Sequence, residues 1–200
     1  DQSYVAAYTC TWLSWPCSEL GRIDEAVEQS RKAKELFEQK RVKDPYIYFH
    51  ALFATGYAAW HKGDIDLTHK TGSELLRFGT RHGYIRSLVA GHCCHGWRGL
   101  ITGDIDSATQ SFNAASQLST DPWYALFPKL ALAYGLISNH KIGEALPLLD
   151  QLIEFSDENG AEFVGEAAYF FKGLASILDG QVQSGLESME TRLARWKRSG

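Results

Sequence analysis

The chain lacks any run of the roughly 18 to 20 uninterrupted apolar residues that a membrane-crossing helix requires, and it shows no basic, apolar, small-residue leader. It lacks excess positive charge as well. Twenty Lys and Arg stand against 24 Asp and Glu, a net charge of -4 with pI near 6.0, so nothing draws it broadly toward phosphate polymers. Proline is scarce, five in 200 residues, which disfavours a turn-rich sandwich. Cysteine is scarce too. Cys93 and Cys94 are adjacent and Cys10 and Cys17 lie seven apart in one helical stretch, about 10 Å along a helix axis and too far for a disulfide. A reducing cytoplasm suits four such thiols. No Gly-Lys pair occurs anywhere, so the phosphate loop of a P-loop nucleotide-binding site is excluded. No alternating strand blocks are visible.

What the chain does have is a repeat. A six-residue phrase recurs as Gly21-Arg-Ile-Asp-Glu-Ala26, Gly63-Asp-Ile-Asp-Leu-Thr68, Gly103-Asp-Ile-Asp-Ser-Ala108, His140-Lys-Ile-Gly-Glu-Ala145 and Gly180-Gln-Val-Gln-Ser-Gly185. The period is close to 40 residues. The third position is always Ile or Val and the sixth always small, and each phrase separates an apolar-rich helical stretch from an amphipathic one, such as Ala26, Ser30, Ala33, Phe37 at helical spacing. The phrase therefore reads as a tight reversal. Glycine permits the left-handed residue that ends the first helix, Asp64 and Asp104 cap the second, and the Ile or Val closes the crevice between them. His140 in the glycine column suggests a different turn in the fourth unit.

Seven residues before each turn stands a small residue, Ser14, Gly56, Gly96, Ala133 and Gly173, as close crossing of two hairpin helices demands. Together with the turn glycine and the small residue after it, this pattern resembles the tetratricopeptide repeat (TPR), in a longer form than that family's usual unit. The resemblance implies an all-α, right-handed solenoid of five helical hairpins over residues 3–42, 43–82, 83–119, 120–159 and 160–198. Ten helices are expected near 3–20, 22–40, 45–62, 64–82, 84–102, 104–118, 122–139, 141–158, 161–179 and 181–198. Residues 1–200 are expected to form one repeat domain, a fragment of a larger protein. Over the whole chain, Gly56-Tyr-Ala-Ala-Trp-His-Lys-Gly-Asp64, Arg81-His-Gly-Tyr84 and Gly143-Glu-Ala-Leu-Pro-Leu-Leu-Asp150 also resemble the C-terminal repeats of bacterial class III adenylate/guanylate cyclases that carry an AAA-type ATPase module. Similar repeats occur in ATPase-type transcription activators.

Those resemblances imply that any catalytic parts lie elsewhere, so no catalytic residue and no cofactor are expected here. His92-Cys93-Cys94-His95 has zinc-ligand chemistry, but neighbouring cysteines point in different directions on a helix and no second ligand pair follows at metal spacing. Buried packing is the expectation, with no metal. Arg192, Arg195, Lys197 and Arg198 around Trp196 complement a helix C-terminus. The position after each small residue reads Trp15, Tyr57, Trp97, Tyr134, Leu174, a column on the first helices, with Phe53, Trp60, Phe127 and Phe170 nearby and His50 and His61 as polar points. An open ladder of such rings would be a peptide groove, and a closed one would be core. The function expected is a regulatory protein-protein interaction module in signal transduction. Its partner would be a protein or peptide segment, or other domains of the parent chain, with no nucleic acid and no membrane. The alternative is a small-molecule effector sensor.

Overall fold

Each hairpin begins from the same backbone event. At Gly63 the chain turns left-handed (φ 72°), the Gly63 amide donates to the Trp60 carbonyl and the Asp64 amide to Ala59, both at 2.9 Å. Two of the first helix's free carbonyls are thereby satisfied. The Asp64 carboxylate then accepts from the Leu67 amide at 3.0 Å, and Asp104 treats Ser107 in the same way, which caps the following helix. Asp44 does this for Tyr46 ahead of Pro45.

The computed structural model describes residues 2–39 and 41–199, with side chains for all of these except 123, 163 and 196–199. It contains α1 (Gln2–Glu19), α2 (Ile23–Glu38), α3 (Pro45–Lys62), α4 (Ile65–His82), α5 (Ile85–Thr102), α6 (Ile105–Leu118), α7 (Pro122–Ser138), α8 (Ile142–Asn159), α9 (Glu162–Leu178) and α10 (Val182–Ser199). Among the described residues there is no strand, and no helix is long and apolar enough to cross a membrane. The helices fall within two or three residues of the expected limits. Helices α1, α7 and α8 continue through Pro16, Pro128 and Pro147, each forgoing one amide bond.

Two compact units divide the chain, Asp1–Thr120 with α1 to α6 and Asp121–Gly200 with α7 to α10. In the first, each helix packs on its successor, and α3 also packs on α1 and α5. In the second, α7 to α10 pack in order and α7 meets α9. First helices thus stand side by side within each unit.

The small column makes the hairpins close. A Cβ on Gly96 would overlap the fully buried Phe112 ring of its hairpin partner α6, and one on Gly56 would overlap the Cys94 sulfur of α5 in the next repeat. Ser14 and Ala133 are fully buried at the equivalent places. Across α2, α3 and α4, Glu74 accepts from the Tyr48 hydroxyl at 2.6 Å and pairs with Lys34 at 2.7 Å.

The fourth turn corrects one expectation. His140 adopts φ 58°, its amide donates to Ile137 and the Lys141 amide to Leu136, both at 2.9 Å. That is the bond pattern of Gly63, so the turn is the same and His140 holds it against the steric preference of a side-chain-bearing residue. His140→Gly should therefore raise unfolding stability by about 1 kcal/mol, measured by urea titration.

Candidate functional site

Most aromatic residues of the first unit stand on α1, α3 and α5. Trp97 lies parallel to Phe53 (centroids 5.6 Å, interplanar 3°) and to Trp60 (5.1 Å, 5°). Tyr57 meets Trp97 edge-on at 5.6 Å and tilts against Trp15 at 5.3 Å, while Trp15 meets Phe53 edge-on at 5.4 Å. These are the separations at which ring quadrupoles attract. The Tyr57 hydroxyl donates to Glu19 at 2.8 Å, and burial followed by that bond raises its pKa. His61 stands against both Tyr57 and Trp60.

Depth separates these rings into two classes. Trp97 is 3% exposed and Phe53 5%, so neither is an open rung of a ladder. Each is covered by neighbouring rings, and their role is to support. Trp15, Tyr57 and Trp60 are half-buried, and His61 is exposed. His50, expected as a polar point in a groove, is instead buried at 6% exposure, with Trp12, Tyr46 and Phe49 around its ring. Burial, with a smaller contribution from the Arg86 charge, lowers its pKa to about 4, so it is neutral at physiological pH.

A second aromatic run lies on α1 outside the small-residue column. Tyr4 stacks on Tyr8 at 6.3 Å, Tyr8 tilts on Trp12 at 6.1 Å, and Trp12 continues to His50 at 5.6 Å. The four-residue spacing of Tyr4, Tyr8 and Trp12 on one helix face was the available signal. All three rings are exposed.

In the second unit, Phe127 and Tyr134 are exposed on α7, and Tyr134 tilts against Phe171 of α9 at 5.4 Å, with Phe170 half-buried beside Phe171. Ser156, Asp157, Glu162, Glu166, Tyr169, Arg192 and Arg195 line a polar cleft of about 300 Å³. Arg192 lies 3.7 Å over the Tyr169 ring and, with Arg195, pairs with Glu166. Trp196, Lys197 and Arg198 have side chains outside the described residues.

The remaining candidates have structural employment. Cys93 and Cys94 are fully buried, and burial pushes the Cys93 thiol up to about 12 and Cys94 well above its ordinary value. They are protonated packing groups. His95 faces His69 across α4 and α5 at 5.0 Å, and among the described residues no group of three or more His, Cys, Asp or Glu could hold a metal ion. The Gly-Asp-Ile-Asp carboxylates Asp64 and Asp104 are caps, as described above.

No protein-family model matches the chain, and no curated protein matches it. Solved structures do. One is the crystal structure of nearly identical TPR-like repeats from Podosopora anserina, described as kinesin light chain, with TM-score 0.60 and 16% identity, covering 100% of this chain and 98% of that one. A variant of the same repeats gives the same score and identity over 96% and 95%. The fold is that of TPR-like repeats. At this identity the likeness extends to architecture alone, and no comparison returns a cyclase or an ATPase.

Two outcomes follow from the depth of the rings. Trp97→Ala should cost about 3 to 5 kcal/mol of stability, whereas Tyr4→Ala should stay within about 0.5 kcal/mol of the parent, both read by urea unfolding. His50, with a folded pKa of about 4 against the ordinary 6.5, favours the folded state only while neutral. Its contribution is complete above pH 6.5 and is lost as pH falls toward 4, on the order of 3 kcal/mol for that interval. Unfolding titrations across that range should show the decline, and His50→Phe should flatten it.

Proposed function

We propose that this chain is a non-catalytic protein-interaction module that takes a peptide segment of a partner on the aromatic face formed by Trp15, Tyr57 and Trp60. The observation that carries this reading is the two-layer arrangement of the rings. Half-exposed Trp60 and Tyr57 rest on buried Trp97, so large rings are already held in place before a ligand arrives. Little side-chain entropy remains to be lost on binding, and aromatic anchors of this kind dominate peptide interfaces. His61, exposed against the same rings, and Glu19, held on Tyr57, supply polar points at the edge. TPR-like repeats generally mediate protein-protein contacts, which agrees with this assignment. Phe127, Tyr134 and Phe170 would give the second unit an aromatic face of its own.

Four free thiols support a reducing compartment such as the cytoplasm. In a signalling polypeptide of the cyclase-ATPase kind, the module would act by contacting neighbouring domains. That parent rests on the sequence phrases alone.

Selection of random dodecapeptides displayed on phage against the purified chain tests the assignment. Enriched peptides should lose at least about 30-fold in affinity on Trp60→Ala, the size of a hot-spot deletion, with the melting temperature recorded beside it. Failure to enrich any sequence, or enrichment indifferent to Trp60, would remove the aromatic face as a peptide site. Thermal stabilisation by a metabolite library in place of peptide enrichment would point to an effector sensor instead.

A further inference from the structure

Turn residues Gly21, Gly63, Gly103, His140 and Gly180 put the five hairpins in register, so one internal position can be followed through all of them. Fourteen residues before the turn and twelve after it stand Ala7 with Ala33, Phe49 with Leu75, Val89 with Ala115 and Leu126 with Leu152. All of these are buried. In the fifth hairpin the same two positions hold Glu166 and Arg192. Their side chains are 12% and 19% exposed and pair at 3.2 Å. The cost of taking two charges out of water is returned at best in part by their attraction, and apolar replacements of such pairs are often neutral or stabilising. The other hairpins close on apolar pairs at this place, so stability does not account for the charges in the fifth.

A second substitution lies beside the first. Between α2, α3 and α4 the rings of Phe37, Tyr48 and Phe78 close on one another, with centroids 4.4 to 6.1 Å apart. At the same distances from the turns, α8, α9 and α10 carry Ser156, Gly165 and Arg195. All three line the cleft of about 300 Å³, so polar groups and a cavity stand where the earlier helices have an aromatic plug. The cleft arises from these substitutions among three packed helices and not from an uncovered outer face.

Its charges are sorted by helix. From α10, the Arg192 and Arg195 guanidiniums converge on the single Glu166 carboxylate. Each has five N–H donors in a fixed fork and reaches Glu166 through Nη1, so capacity remains for a second carboxylate held by charge-assisted bonds. Arg192 is also held 3.7 Å over the Tyr169 ring, which restrains its plane. From α8 and α9, Asp157 and Glu162 line the same cleft and are exposed at its edge. The volume is at the low end of the range for ligand pockets, which suits a small molecule.

We propose that this cleft binds a free α-amino acid, with the ligand carboxylate on Arg192 and Arg195 and its ammonium group on Asp157 and Glu162. A plain anion would satisfy the arginines and be repelled by the two edge carboxylates, and a plain cation would meet the reverse. A small zwitterion answers both. The site lies within the second unit and shares no residue with the face of Trp15, Tyr57 and Trp60, so it stands whether or not those rings bind a peptide.

Thermal-shift measurements on the purified chain with each proteinogenic amino acid in millimolar excess, followed by titration calorimetry, test the assignment. At least one amino acid should raise the melting temperature. Its N-acetyl and amide derivatives, each missing one charge, should bind at least about tenfold more weakly. Arg195→Gln, at a side chain 55% exposed, should weaken binding by a similar factor at an unchanged melting temperature, which places the ligand in this cleft. Glu166→Leu with Arg192→Leu, the pair of the fourth hairpin, should abolish binding while melting no lower than the parent. Binding of no amino acid, or binding indifferent to Arg195→Gln, would overturn the proposal. So would equal binding of the N-acetyl derivative, which would leave a plain anion site, and so would a double variant that melts well below the parent, since the fold would then account for the ion pair.

Discussion

The close approach of neighbouring helices at the small-residue column, within a hairpin at Gly96 and between successive first helices at Gly56, is the constraint on which the other features depend. With a side chain in place of the hydrogen at Gly56 or Gly96, the backbone would have to retreat from Cys94 or Phe112. Interiors packed as densely as crystals cannot absorb such a shift locally. Because the small column lets the first helices pack on one another, α1, α3 and α5 come near enough for the residues following it, Trp15, Tyr57 and Trp97, to touch across successive repeats. The aromatic face is thus a by-product of glycine.

That origin also explains why the rings differ in depth. Trp97, on the third first-helix, receives rings from α3 that cover it, namely Phe53, Tyr57 and Trp60. Trp15, on the first, has the α3 rings on one side only. The same column position is support in one repeat and surface in another.

Much of the fold is legible in the sequence, because its determinants are local. The phrase Gly-Asp-Ile-Asp encodes a left-handed turn and a cap within four residues, and both are where spacing placed them, at Gly63 with Asp64 and at Gly103 with Asp104. The fourth turn was misjudged because a left-handed residue was equated with glycine, whereas His140 takes the same conformation. Burial was less legible. Whether Trp97 and His50 are open or closed depends on residues contributed by other helices, and periodicity along one helix reports a face without saying what stands opposite it. Tyr4, Tyr8 and Trp12 are hard to read for a related reason: they lie outside the small-residue column, so its periodicity does not mark them.

The paired thiols at the centre of the first unit have a consequence of another kind. Cys94 fills the space left by Gly56 and Gly72, and Cys93 beside it is equally enclosed. Both are held protonated by their surroundings, and nucleophilic attack requires the thiolate and access to it. Electrophiles and oxidants in solution therefore meet these sulfurs only when α5 separates from α3 and α4. Their chemical reactivity is a clock for the opening of the middle repeat, set by conformational fluctuation and wound into the same contact that holds the hairpins together.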